Sequence, residues 1–358
     1  MTTELDGIAV VAETIAPDII NQFASSAMLL DQGESNTRGN LELLARSGIF
    51  GLGAPRNHDH RLPTMATVIA ELAGHCLSTA FSGWAHRMTI EYLTAAATPW
   101  SRRVAANLIG GGALGVTGMA SAFKDAAGCG SLDLAATPAD DGYRLTGTLR
   151  WASNLYSDSV LVTAAQTDSG EKLVVALPLA THGVTIGNHF DLLALGSTAS
   201  SFLKLDDVLI GEDQILSRDI ESFLDGVRPT FLVLQSAMCV GLARRCLDEV
   251  EPSLGGVNSA FTVQFDSLST ELADIESQVA GVAATVGGPT TPAKGALLTL
   301  RLAAADIVSA AAALEIRSAG GKGYARRTDA SRRFREAAFI PVQSPSEAQL
   351  RWELRTGR

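Results

Sequence analysis

The apolar period of this chain changes twice, and that alternation limits the folds open to it. From residue 6 to about 108 apolar side chains recur at helical spacing. In "NLELLARSGIFGLGAP" Leu41, Leu43, Leu44 and Ile49 form one stripe, and "MATVIAELAGHCL" continues the style. Between about 109 and 212 the runs shorten and become rich in Val, Leu and Thr. "DGYRLTGTLRWASN", "SDSVLVTAAQT", "KLVVALPL", "GVTIGNHF" and "SSFLKLDDVLI" are separated by turn signals such as Asp140-Asp141-Gly142 and Asp168-Ser169-Gly170, which predicts antiparallel strands forming a small barrel or sandwich. After "GEDQIL" the helical period returns and lasts to the end. "RPTFLVLQSAMCVGLARRCLDEV" and "AKGALLTLRLAAADIVSAAAALEIRSAG" are apolar over more than one face, as bundle helices covered on several sides must be. The expectation is an α+β, mainly helical chain. Its units are an N-terminal helical domain (1–108), a middle antiparallel β-barrel or sandwich domain (109–212) and a C-terminal four-helix bundle (213–358).

Composition narrows the partners. A formal net charge of -10, with no basic run beyond pairs such as Arg244-Arg245, argues against nucleic acid, which needs clustered Lys and Arg. Cys76, Cys129, Cys239 and Cys246 include no C-x-x-C pair and suit a reduced, cytoplasmic compartment. The N-terminus has early acidic residues and no basic n-region, so it does not read as a signal peptide, and no uninterrupted apolar run reaches the ~18 residues a membrane span needs. His58, His60, His75, His86, His182 and His189 are scattered, and no metal site is expected from them.

One C-terminal stretch, "REAAFIPVQSPSEAQLRW", interrupts the helical pattern. Pro341 and Pro345 forbid a continuous helix, while Ser-Pro-Ser-Glu is helix-start chemistry, so a short turn is built here. Glu347 is the nearest carboxylate, and as the third residue of the restarting helix it reads as a capping-box residue. Gly320, Gly321 and Gly323 let the backbone turn sharply, either as a helix C-cap or to approach a phosphate. Trp151 and Ser153 offer an apolar wall and a hydroxyl, or plain packing.

In three places, and over almost the whole length, the chain resembles the acyl-CoA dehydrogenase family. "LTGTLRWASNLYSDSVLVTA" is similar to that family's β-domain stretch with Trp followed by Ser/Thr-Asn, "LALGSTASSFLKLDDVLIGEDQIL" to the strand that closes the domain, and "AGGKGYARRTDASRRFREA" to its Gly-Gly-x-Gly-Tyr loop and following helix. The resemblance implies bound FAD, with Leu114, Val116, Thr117, Trp151 and Ser153 against the flavin and Gly320, Gly321 and Gly323 near the pyrophosphate. It also implies an acyl-CoA-type substrate undergoing α,β-dehydrogenation, and a homodimer or homotetramer.

The same resemblance exposes two departures. The family's α-proton base is a Glu on the turn; here Gln343 occupies that position, or Ser344 in an ungapped count, and neither is a carboxylate. Members that draw the base from the first bundle helix place it near Phe231, again not acidic. An Arg-x-x-Phe-Gly segment is absent from "EPSLGGVNSAFTVQFDS". Three readings follow: a dehydrogenase whose base is Glu347, Asp225 or Glu91; a flavin-dependent monooxygenase, with His75 or His86 as a proton donor; or a non-catalytic partner subunit in a heteromer with a complete homologue.

Overall fold

The computed structural model describes residues 14–357. Residues 6–13 of the expected helical zone, and most of the segment from which the lack of a signal peptide was read, lie outside the described residues. The chain begins with α1 (Pro17–Asp31), α2 (Arg38–Ala45), α3 (Leu62–His75), α4 (Leu77–Ala96) and α5 (Pro99–Ile109). Pro at the first or second position of α1, α3 and α5 fits sites whose N–H groups have no helical partner anyway. There follow β1 (Gly115–Gly118), α6 (Ala120–Ala126), β2 (Leu134–Ala139), β3 (Gly142–Ala152), β4 (Val160–Thr167), β5 (Lys172–Pro178), β6 (Val184–Ile186), β7 (Ser201–Gly211) and β8 (Ile215–Ser217). The chain closes with α7 (Ile220–Val250), α8 (Thr262–Thr285), α9 (Lys294–Gly323), α10 (Asp329–Phe339) and α11 (Glu347–Thr356).

The strands form one sheet in the order β6-β7-β3-β2-β4-β5-β8, with β1 added beside β4. Most pairings are antiparallel, and two of them, β2–β3 around Asp140-Asp141 and β4–β5 around Asp168-Ser169-Gly170, are hairpins at the expected turn signals. Two are parallel, β1 with β4 and β2 with β4, because the intervening chain is long enough to cross over. Strand β4 is buried on both faces, and its period of two divides the protein's cores. Val160, Val162 and Ala164 join the helices' core, whereas Leu161 and Ala165 join a second core enclosed by the sheet with Leu145, Val175 and Leu205.

Helix α7 is the axis of the helical part, packed against α3, α8 and α9. It approaches α3 so closely that a Cβ on Gly241 would overlap the Ala70 carbonyl, so only glycine fits there. By length and composition α7 and α9 would suffice to cross a bilayer, yet their apolar windows are 94% and 67% buried inside the protein, as bundle-core helices are.

Candidate functional site

Strand β1 is fixed at both ends before it offers anything to a site. The Gly115 N–H donates to His86 Nδ1 (2.9 Å), its carbonyl accepts from Asn154 Nδ2 (3.1 Å), and the Gly118 carbonyl accepts from Thr163 Oγ1 (3.0 Å). Thr117 is thereby held on the strand, its hydroxyl 3.3 Å from the Tyr92 hydroxyl. Asn154, in left-handed conformation (φ 60°) just after β3, also donates to the Ser82 carbonyl at 2.9 Å, so it staples β3, β1 and α4 together. Its neighbour Ser153 begins a hydroxyl chain, 2.7 Å from Ser200 Oγ, which is 2.7 Å from Thr198 Oγ1. Trp151 stands out from the strand, 53% exposed, its ring 4.5 Å from that of Phe190.

The proline turn arrives opposite. Helix α10 ends at Phe339, a short 3-10 turn covers Ile340–Val342, and Ser346 caps α11 by accepting from the Gln349 N–H. Helix α7 holds this turn through Gln235, whose Nε2 donates to the Ser344 carbonyl (2.9 Å). Helix α9 holds it through Arg301, whose Nη2 donates to the Ile340 carbonyl (3.2 Å) and Gln343 Oε1 (3.4 Å), while its Nε donates to Gln235 Oε1 (3.1 Å).

Between strands and turn lies a cavity of about 360 Å³. Thr117, Trp151 and Ser153 face Gln343 and Ser344 across it; Phe81 and Trp84 of α4, Phe231 of α7 and Phe339 of α10 supply aromatic walls, and Lys124 of α6 lies on its edge. A second cavity of about 320 Å³ shares Phe81, Trp151, Phe339 and Val342 with the first, so the two adjoin. Every lining side chain of the first cavity is neutral except Lys124. Trp84 Nε1, Gln343 Nε2 and Ser344 Oγ, all on this wall, are buried without a hydrogen-bond partner.

Thus the structure brings Thr117, Trp151, Ser153, Gln343 and Ser344 together. Leu114 and Val116 are buried behind the wall, Leu114 in the helical core and Val116 in the sheet's core. Gly320, Gly321 and Gly323 border neither cavity. They end α9, which breaks at Gly320 (φ 61°, ψ -151°), and Tyr324 beside them is 81% exposed.

The expectations for five acidic or basic groups need correcting. Glu347 is the first residue of α11, not the third; Gln349 holds the third position, and the Glu347 carboxylate instead pairs on the surface with Arg351 one turn on (2.8 Å). Glu91 is fully buried and fully engaged, by Arg87 Nη1 (2.9 Å), the Arg56 N–H (2.7 Å) and Thr230 Oγ1 (3.2 Å), and Asp225 is exposed; neither borders the cavity. His86 is held neutral, its pKa lowered to about 4 by burial and the nearby Arg87 charge against the opposing Leu108 hydrogen bond. Both ring nitrogens serve backbone: Nδ1 accepts from Gly115, so Nε2 donates to the Leu108 carbonyl (3.1 Å), and no proton is left for a substrate. His75 lies off the cavity, with its pKa lowered by burial and by Arg245 and Arg332.

Sequence reasoning missed Trp84, Gln235 and Arg301. The available signal was a lone polar side chain in an apolar helical run, "VLQSAM" for Gln235 and "LTLRLAAAD" for Arg301.

No family model matches the chain. A stretch of 225 residues is 24% identical to the mitochondrial short-chain specific acyl-CoA dehydrogenase of Bos taurus, covering 58% of this chain and 54% of the relative, so the match spans about half the relative's length. The butyryl-CoA dehydrogenase of Megasphaera elsdenii superposes with a TM-score of 0.82 at 18% identity, covering 96% of this chain and 98% of that one. Dibenzothiophene monooxygenase from Paenibacillus sp. A11-2 superposes at 0.79 and 17% identity, covering 95% and 94%. The fold is that of the acyl-CoA dehydrogenases. In its fold and over the matched stretch the chain is similar to the acyl-CoA dehydrogenases.

Proposed function

We propose that the protein is an FAD-dependent oxidoreductase whose reaction at the strand–turn cavity draws no proton with a side-chain carboxylate. One observation carries this reading. The cavity wall holds no Asp or Glu, and all three positions to which the resemblance can assign a base, Gln343, Ser344 and Phe231, line it. Dehydrogenation of an acyl-CoA needs a positioned base. Among reactions on this fold the geometry therefore favours oxygenation by reduced flavin over α,β-dehydrogenation, the latter resting on the names of relatives.

The residues fit a flavin ring. Trp151 offers an exposed aromatic face, Thr117 and Ser153 offer hydroxyls, and a cavity of about 360 Å³ suits a ring system rather than a whole dinucleotide. Bound flavin would supply two-electron transfer and, when reduced, the activation of oxygen. The chain's own residues exclude water with the aromatic walls and present the unpartnered polar groups of Trp84, Gln343 and Ser344 to a substrate. Assembly as a homodimer or homotetramer would give the Gly320–Gly323 break, remote from both cavities, a neighbouring subunit's cofactor to contact.

The test is the visible spectrum of the purified protein, followed by anaerobic titration with acyl-CoAs and by reduction and re-exposure to oxygen with candidate substrates. Bound flavin that no thioester bleaches, and that yields oxygenated product after reduction, is the expected result. Bleaching by an acyl-CoA would overturn the reading in favour of dehydrogenation. A colourless protein unable to take up FAD would favour the partner-subunit role.

A further inference from the structure

Folded proteins leave few buried polar groups unpaired, so three on one wall call for an explanation. Trp84 Nε1, Gln343 Nε2 and Ser344 Oγ are buried, make no hydrogen bond within the protein, and line the same cavity. Gln343 is only 3% exposed and Trp84 likewise 3%. Two of the three are obligate donors and the third can donate, so what completes them is an acceptor.

The sign of the acceptor's charge follows from what stands behind Gln343. Arg301 is fully buried, and the groups that accept from it, Gln235 Oε1, the Ile340 carbonyl and Gln343 Oε1, are all neutral. Among the described residues no carboxylate pairs with it, and its Nη1 has no partner. Buried cations are ordinarily paired. By donating to Gln343 Oε1 the guanidinium fixes which end of the amide faces the cavity and strengthens Nε2–H as a donor. Lys124, the one charged residue on the wall, adds a second positive group, and no carboxylate there repels an anion.

The geometry points to a site for an anionic oxygen: Trp84 Nε1, Gln343 Nε2 and Ser344 Oγ together bind the phenolate, or the isoelectronic enolate, of a flat substrate, with Arg301 as the positioning residue behind Gln343. Its place in turnover rests on the flavin reading above. The flat shape follows from the walls of Phe81, Trp84, Phe231 and Phe339.

The test uses the full-length protein as purified, with flavin content read from its absorption. Fluorine NMR titration compares pentafluorophenol, which is ionised at neutral pH, with pentafluorotoluene, which has the same ring and no oxygen. The phenolate is expected to bind about tenfold or more tightly than the toluene, since a hydrogen bond to a charged group is the stronger kind. Trp84→Phe and Ser344→Ala should each lower phenolate affinity about tenfold more than toluene affinity and leave flavin content unchanged; Gln343→Leu should remove the preference. Ser344→Ala deletes an atom that bonds nothing in the protein, so a structural role predicts no change there; Trp84→Phe also removes ring atoms packed against Phe81 and Phe231, a loss that falls on both probes alike and so cannot alter the preference between them. Equal affinity for the two probes in flavin-loaded protein, or a preference that survives the Trp84→Phe/Ser344→Ala double variant, overturns the site and leaves the flavin reading standing. Phenolate preference in protein that cannot take up flavin would support the site and overturn the flavin reading instead.

Discussion

Two arginines, Arg87 and Arg301, are equally and completely buried, yet their surroundings answer the charge in opposite ways. Around Arg87 every group is matched. Its Nη1 donates to Glu91 (2.9 Å), its Nε and Nη2 donate to the Leu52 carbonyl (3.2 and 3.1 Å), and the Glu91 carboxylate also accepts from Arg56 and Thr230. That cluster ties α4 to the 52–56 segment and to α7, and it faces no cavity. Around Arg301 every acceptor is an amide or a carbonyl, one guanidinium nitrogen is unpartnered, and the turn it holds is a cavity wall. The difference teaches that a buried cation closed by a carboxylate serves the fold, whereas one left open beside a cavity keeps its charge for something that arrives later.

Making the first region resemble the second should have the largest effect. Glu91→Gln leaves Arg87 surrounded only by neutral groups with nothing to take its charge, and loss of about 3–5 kcal/mol of stability is expected in chemical denaturation, the cost of breaking a buried pair from one side. A loss under about 1 kcal/mol would erase the contrast. His86 sharpens the comparison from inside the closed region. The unfolded chain protonates this ring near pH 6.5, whereas the folded protein resists until about pH 4, so the stability it contributes is complete above 6.5 and is lost as pH falls towards 4. At 1.36 kcal/mol per pH unit the loss across that window is about 3 kcal/mol. His86→Leu should be less stable at neutral pH, because it orphans the Gly115 N–H and Leu108 carbonyl, and should have a shallower decline between pH 6.5 and 4.

The converse exchange makes Arg301 resemble Arg87. Gln343→Glu places a carboxylate where Arg301 already donates, and a gain of about 1–2 kcal/mol is expected, part of the attraction being offset by desolvation of the new group. Beside the guanidinium that carboxylate's folded pKa falls below its unfolded value near 4.3, so the gain should hold above about pH 4.3 and vanish as pH drops through the folded value. Thermal melts of both proteins at pH 7 and pH 3.5 check this. No gain at pH 7 would mean that the charge of Arg301 is already balanced. The same variant tests the turn: if it bleaches flavin with an acyl-CoA, position 343 stands where the family's base stands.

How much of this was legible beforehand follows from which signals are local. The strands from β3 to β7 show as Val/Leu/Thr runs between turn residues. By contrast β1, "GVTG", and β2, "LAATPA", are Gly-, Ala- and Pro-containing segments with little strand character, and both were missed because pairing with β4 stabilises them. The proline turn was readable from Pro341, Pro345 and Ser346, since helix stop and start chemistry is local. Its neighbours across the cavity were not: Trp84 lies some 260 positions earlier in an apolar helix, where a core role and a wall role leave the same sequence trace. Thr117, Trp151 and Ser153 were reached through family resemblance rather than periodicity, because a period tells which face is buried and not which cavity it borders.

Glu347 offers the smallest effect and a direct check on the contrast, being the carboxylate nearest in sequence to the turn that Arg301 holds. It sits on the surface, paired to Arg351 one helical turn away, and exposed pairs of this spacing contribute about 0.3–0.5 kcal/mol. Placing an acid in the first turn of α11 also favours the helix dipole by a few tenths of a kcal/mol. Glu347→Ala should therefore lower stability by less than about 1 kcal/mol, more at low salt than at high, and leave flavin content and turnover unchanged. If turnover fell a hundredfold with the melt unchanged, Glu347 would have to reach the cavity in the working protein. The open charge of Arg301 would then have a carboxylate at hand, and the distinction between the two buried arginines would be one of timing rather than of design.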